Sequence, residues 1–485
     1  MVSCSKVVVP ASYAEANAPV VIYPDYVGVT VPVNIAPLHF QWMTKADEVV
    51  TRFKAGDEEV VLGGTKVCPE ADDWQALLSK AVGDSICVDM FVRKGETWSH
   101  YRPFAIYVSA DSIDPWISYR LISPSYVTYE ELTLNQRCLE NYDERVIYDN
   151  MLCSTEANGQ CINCHHSQLG NPERTLFHAR QNLGGTMINY DGQLHKVNLK
   201  TDSTLSAGVY PAWHPTESKL IAFSTNKTMQ SFHTRDIDKI EVLDSQSDLI
   251  LYDIEKNEVM TVENDSTEFE TFPCWSPDGR WLFYSSAHFE YGDTARTHDA
   301  ECIMRYKDFR YSIYRKAFDP STCSFGPKEM VFNADSLGLS ATFPRISPDG
   351  RFLLMTVGEW GTFHIWHRDA DLWLMDLQTN EARPFTEVNS PSVESYHTWS
   401  STGRWIVFSS RRDDGNYTRP FFAHVDKDGH GTKPFELPTE SPNYHRELMK
   451  SYNVPEFLLG PVTVKPQTFA DALKKDAEQV KYKSR

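Results

Sequence analysis

The stretch FPCWSPDGRWLFYSS, residues 272–286, decides the fold. An aromatic residue opens a short strand, Ser276-Pro277-Asp278-Gly279 makes a turn, and a second apolar strand follows. Proline presets φ in that turn and glycine takes φ > 0. The pattern returns in YPAWHPTESKLIAFST (210–225), FPRISPDGRFLLMTV (343–357) and YHTWSSTGRWIVFSS (396–410). Each copy leads into a further strand and turn: DLILYDIEKNE (248–258), YSIYRKAFDPS (311–321), DLWLMDLQTNE (371–381) and PFFAHVDKDG (420–429). A degenerate copy runs through LFHAR (176–180), GTMINYDG (185–192) and QLHKVNLKTD (193–202). Four-stranded units about 50–70 residues apart predict a β-propeller with insertions. Five blades are visible. A sixth is expected from 114–150 (ISYRLI, DERVIYD), completed by a C-terminal strand around Phe457–Val464.

The expected class is therefore all-β: a six-bladed propeller, or a five-bladed one without that last unit, preceded by a small β-sandwich. The expected divisions are a tail (1–19), the sandwich (20–113), the propeller (114–464) with a special segment at 151–177, and a solvated helical tail (465–485). Residues 20–42 alternate and are rich in valine and proline, as edge strands are. ADDWQALLSKAV (71–82) has an acidic start and Trp74, Leu77 and Leu78 at helical spacing. No apolar run is long enough to span a bilayer. The net charge of −19 over 485 residues excludes nucleic acid as a partner, because a polyphosphate needs a positive footprint.

The chemistry is concentrated in Cys161-Ile162-Asn163-Cys164-His165. This is C-x-x-C-H, the pattern that attaches c-type haem. Cys161 and Cys164 supply thioethers, and His165 is the expected proximal iron ligand. The rival is zinc on Cys153, Cys161, Cys164 and His165 or His166. His178, read as the start of an innermost strand, and His397, which replaces the proline of Pro211, Pro273 and Pro344, are the candidates for the distal position. Arg180 suits haem propionates, because a guanidinium fork matches carboxylates. His166, Tyr210 and Tyr396 are expected nearby. The motif is expected at an interblade crossing, facing the long insertions 226–247, 287–310, 358–370 and 411–419. Those insertions carry His233, His288, His298, His364, His367, Trp360 and Trp366, expected to wall a cavity over the haem. Local cysteine pairs for disulfides are Cys68 with Cys87, Cys138 with Cys153, and Cys302 with Cys323.

Over residues 205–440 the repeats resemble the TolB-type propeller with its W-S-P-D-G signature. A β-domain, a C-x-x-C-H and a propeller in one chain are together similar to the alpha subunit of hydrazine synthase. That resemblance implies a haem-bearing propeller contributing to a redox site. Where that family has an iron-ligating tyrosine after the motif, this chain has Ser167-Gln168-Leu169. The expected function is an exported monohaem cytochrome, in electron transfer or as a subunit of a redox complex, with a redox protein or small molecule as partner. The alternatives are a protein-binding scaffold with structural haem or zinc, and a haem enzyme with open iron. Met1-Val2-Ser3-Cys4 resembles the end of a lipobox, with Cys4 as the acylated residue. Covalent haem is attached outside the cytoplasm, so the expected place is the periplasm or outer membrane of a Gram-negative cell, with one lipid anchor.

Overall fold

The computed structural model describes residues 7–123, 131–155, 158–233, 240–292 and 295–484. Strand makes up 48% of it and helix 10%, so the chain is mostly β. Among the described residues, six antiparallel units of four strands follow one another: the third and fourth are joined in one nine-stranded sheet, and the second and third each gain a short parallel strand; the units are numbered here as sheets one to six. Five begin with β1 (Gln160–Ser167), β2 (Val209–Trp213), β3 (Glu268–Trp275), β4 (Ser340–Ile346) and β5 (Glu394–Trp399), which head sheets two to six. Sheet one is headed from the far end of the chain, where β6 (Ser451–Leu458) pairs antiparallel with Trp116–Ile122. The first strands pack against one another in cyclic order, β1 on β2 and so on to β6, which returns to β1. Sheets three and four are also joined by a parallel bridge between Ser247 and Phe269.

Local chemistry builds each sheet. In the first turn quoted above, the Ser276 hydroxyl donates to Asp278 Oδ1 at 2.6 Å and accepts from the Trp281 amide at 3.0 Å. Gly279 has φ +69° and lies so close to sheet three that a Cβ would sit 2.3 Å from His214 Cε1. Each first strand carries a bulge at one equivalent place. The residues with φ near +50° are Cys164, Tyr210, Phe272, Phe343, Tyr396 and Val454, and the strand register slips at each. The next residue is Pro211, Pro273, Pro344 or Pro455 in four of them. Proline fits because the bulged residue has no ladder partner for an N–H.

Residues 14–109 form a seven-stranded and a three-stranded sheet with the helix Ala71–Lys80, which buries Trp74, Leu77 and Leu78. Their core is continuous with Trp405, Val407, Phe422 and Phe435 of sheet six. The C-terminal tail differs from the solvated helix expected. Pro466–Leu473 buries Phe469, Ala470 and Leu473, with Phe469 edge-on to Phe177 at 5.4 Å. Glu478–Gln479 and Lys481–Tyr482 then add parallel to the outer strands of sheets two and three. No described helix is long and apolar enough to cross a membrane.

Candidate functional site

The C-x-x-C-H segment is β1 itself, where an interblade crossing was expected. Gln160–Ser167 pairs with Arg174–Gln181, so the latter is a second strand and β1 the first. Cys164 takes the bulge position that aromatic residues hold in four other sheets, and His165 takes the proline position beside it. His165 is buried, 6% exposed, and its Nε2 has no hydrogen-bond partner. The backbone of Val454, the bulge residue of β6, is its hydrogen-bonding neighbour. Burial holds the imidazole down to a pKa of about 4, so it is neutral at pH 7. Beside it is a cavity of ≈ 20 Å³ lined by Leu134, Phe177, Leu458 and Phe469, among others. That volume holds about one water.

Cys161 lies opposite Arg180, and Asn163 opposite His178. With its amide oxygen turned toward Arg180, Asn163 accepts from Nε at 3.2 Å and Nη2 at 2.7 Å. Arg120 reaches in from sheet one, donating to the Ile162 carbonyl at 2.9 Å and to Asn453 Oδ1 at 3.2 Å. Burial raises the Cys161 thiol above its usual range, and Arg120 and Arg180 pull it the other way. Tyr210, Phe272, Phe343 and Tyr396 touch in sequence, with ring centroids 4.5, 4.0 and 4.7 Å apart. Burial pushes the Tyr210 hydroxyl up, with Cys164 the first charge neighbour. Tyr210 and Tyr396 therefore belong to a run of rings at the bulge level. His166 points to sheet one and pairs with Glu456 at 2.8 Å. Burial alone raises Glu456, but His166 outweighs it and holds the carboxyl below its usual range.

Both distal candidates meet other groups in the structure. His178 is on the second strand, and alternation puts it on the face of Leu176, which packs toward sheet three. His165 lies instead beside Val454 of β6. His178 Nδ1 is 3.0 Å from Thr186 Oγ1, and burial lowers its pKa to about 3. His397 belongs to sheet six and is buried against sheet five, with Nε2 3.0 Å from the Leu354 carbonyl. Insertions 358–370 and 411–419 line a cavity of ≈ 460 Å³ through Trp366, Arg368, Arg411 and Arg412, while four of the insertion histidines engage other groups. His364 is enclosed between Thr342 Oγ1 (2.8 Å) and the Trp360 carbonyl (3.1 Å), and His367 pairs with Glu241 at 2.7 Å. His298 Nε2 meets the Ser245 carbonyl at 2.6 Å, and the half-exposed His288 meets Glu268. The side chain of His233 and the whole of Cys4 lie outside the described residues.

The nine described cysteines are free thiols, so the three local disulfides do not form. Among the described residues, no three His, Cys, Asp or Glu side chains are grouped as metal ligands. The donors fit a c-type haem in kind: two unpaired thiols, a buried imidazole nitrogen without a partner, and two guanidinium groups nearby. The ≈ 20 Å³ beside His165 does not hold a porphyrin. Ligation there requires Phe177, Leu458 or Phe469 to move.

The equivalence of Cys164-His165 with Tyr396-His397 and Val454-Pro455 was missed in the sequence. Its signal was a non-glycine residue followed by proline or histidine inside each first strand.

No family model matches the chain, and no curated protein matches it. Among solved structures, a Mycobacterium tuberculosis puromycin-hydrolysing peptidase is similar at 12% identity and a TM-score of 0.37, over 85% of this chain and 57% of its own. Prolyl oligopeptidase B from Galerina marginata gives 10% identity and 0.37, over 83% and 53%. An oligogalacturonate lyase in complex with manganese gives 11% and 0.31, over 80% and 99%. The chain thus spans little more than half the length of either peptidase, and likenesses this distant carry no argument about fold or activity.

Proposed function

We propose that residues 116–458 form a six-bladed β-propeller behind a small β-sandwich, and that the chain is an exported redox protein carrying haem c on Cys161 and Cys164. The cyclic packing of six first strands supports the blade count. The observation that carries the haem reading is the imidazole of His165, neutral, buried and with Nε2 unpartnered. The Val454 backbone at the other side of that ring orients it, as an outer partner orients a ligating histidine. Arg120 and Arg180 present cationic groups beside the thiols and suit propionates. When bound, haem supplies a one-electron couple. With His178 and His397 both engaged on other faces, the reading favours iron open to a small molecule over two-histidine ligation. Cys4 as a lipid anchor at the periplasmic or cell-surface side belongs to the same proposal.

A pyridine haemochrome spectrum of the chain, made in a host competent in cytochrome c maturation, tests this. A covalent haem band that disappears in Cys161→Ser and Cys164→Ser is expected, with carbon monoxide binding to the reduced form. The water-sized cavity and the repeat equivalence of β1 favour a second reading, a binding scaffold in which the motif is an ordinary first strand. A chain without covalent haem establishes that reading in place of the first.

A further inference from the structure

The cavity of ≈ 460 Å³ between sheets five and six takes no part in the haem reading. Its volume is within the range of small-molecule sites, about 300–1,000 Å³. Trp366 and Arg368 come from the insertion after the second strand of sheet five. Arg411, Arg412 and Asp413 come from the insertion after the second strand of sheet six. Residues 390–393, the link between the two sheets, also line it.

The arginines are held in place by the protein itself. Arg411 is buried, stacks its guanidinium on the Trp366 ring at 3.2 Å and donates through Nη1 to the Asn416 carbonyl at 2.9 Å. Arg368 donates through Nε to the Pro391 carbonyl at 3.2 Å. Arg412 is fixed three times: Nε donates to Ser410 Oγ at 2.9 Å, and Nη2 to the Val388 carbonyl at 2.8 Å and to Glu394 Oε1 at 3.0 Å. Among the described residues its Nη1 bonds to nothing, and that nitrogen is not buried. A short chain ties Arg412 to Ser392 across the link. The Ser392 amide donates to Ser390 Oγ at 3.2 Å, and Ser390 Oγ donates to the same Glu394 Oε1 at 2.6 Å. The Ser392 hydroxyl has no partner among the described residues. One guanidinium nitrogen and one hydroxyl, held by a shared carboxylate, make a seat for the two oxygens of a carboxyl group. Asp413 and Asp414 limit the charge it accepts. Asp414 accepts from the Asn416 and Tyr417 amides of its own turn at 2.7 and 2.8 Å. Desolvation, then Glu436, raises the Asp413 carboxyl to about 7, so it is mostly neutral at pH 6. A dianion is repelled by this pair more than a single charge is.

We propose that this cavity binds a small organic monocarboxylate, with Arg412 Nη1 and the Ser392 hydroxyl donating to its two oxygens. Arg368 and Arg411 add an attractive field. The body of the ligand lies beside Pro391 and the Arg411–Trp366 stack.

The test is calorimetric titration of the full chain at pH 6 with sodium benzoate up to about 10 mM, at constant ionic strength. Benzyl alcohol, its neutral counterpart, and inorganic phosphate are the controls. One saturable benzoate site is expected, with both controls binding more weakly. Arg412→Met combined with Glu394→Gln removes both ends of the ion pair and leaves no lone buried charge. It should weaken benzoate by about tenfold or more. Ser392→Ala, which removes only a hydroxyl, should weaken it by about fivefold and decides the matter if the double variant does not fold. No saturable binding overturns the proposal, and so does benzyl alcohol or phosphate binding as tightly as benzoate. Affinity kept in full by the variants overturns it too. A Cys161→Ser chain should bind benzoate as the wild type does. Loss of binding there would put the carboxylate at a haem instead, so failure of the haem reading and failure of this one are told apart.

Discussion

His165 and His397 stand where four other first strands carry proline, and each is buried as a neutral imidazole. A neutral buried histidine couples stability to pH with a definite sign. His397 is held near pKa 3 by burial, below its ordinary 6.5. Its contribution is present above pH 6.5 and is lost as pH falls toward 3, because the unfolded chain takes the proton first. Replacing His397 by Gln should flatten the urea stability curve between pH 6 and 4 by about 1.4 kcal/mol per pH unit relative to wild type. Parallel curves would show that the imidazole is not held neutral. His166 makes a different case. Its Nδ1 lies 2.8 Å from Oε1 of Glu456, a carboxylate 4% exposed. His166→Ala leaves that charge buried and unpaired, and should cost about 3 kcal/mol in chemical denaturation. Adding Glu456→Gln should recover most of the loss.

At the level of elements, the turns were legible because their hydrogen bonds close within five residues, as at Ser276–Trp281. The helix Ala71–Lys80 was legible from Trp74, Leu77 and Leu78 on one stripe. The segment Pro466–Leu473 was misread because its apolar residues, Phe469, Ala470 and Leu473, are few among charges. What buries them is Tyr148 and Phe177, more than 290 residues earlier in the chain. Phe469→Ala should destabilise the chain by about 3 kcal/mol, measured by denaturant midpoint, through the cavity left in that cluster. A solvated tail helix would lose almost nothing. The first strand of sheet two was missed for a related reason. Cysteine and histidine replace the aromatic-proline pair there, so the repeat signal fell on Arg174–Gln181, one strand too late.

For the whole molecule, the cyclic contact of the first strands depends on β6 joining Trp116–Ile122. Without Ser451–Leu458, the inner edge of sheet one is bare and the gap between sheets six and two opens. A chain ending at Lys450 should lose cooperative unfolding and associate in a concentration-dependent way on size exclusion, as exposed strand edges do. A monomeric, cooperative truncation would show that the cyclic contact is not needed for stability.

The sequence by itself determined the all-β class, the turn positions and the four clearest first strands, because turn residues set φ and hydrogen bonds locally. It also singled out Cys161, Cys164 and His165 as a chemical set. Only the tertiary structure decided that this set is a first strand, that Val454 lies beside His165, and that Glu270 is buried without a hydrogen-bond partner. Those arrangements rest on contacts between sheets, where burial and unbalanced charge are created. Neither quantity exists in a local pattern until distant strands are packed together.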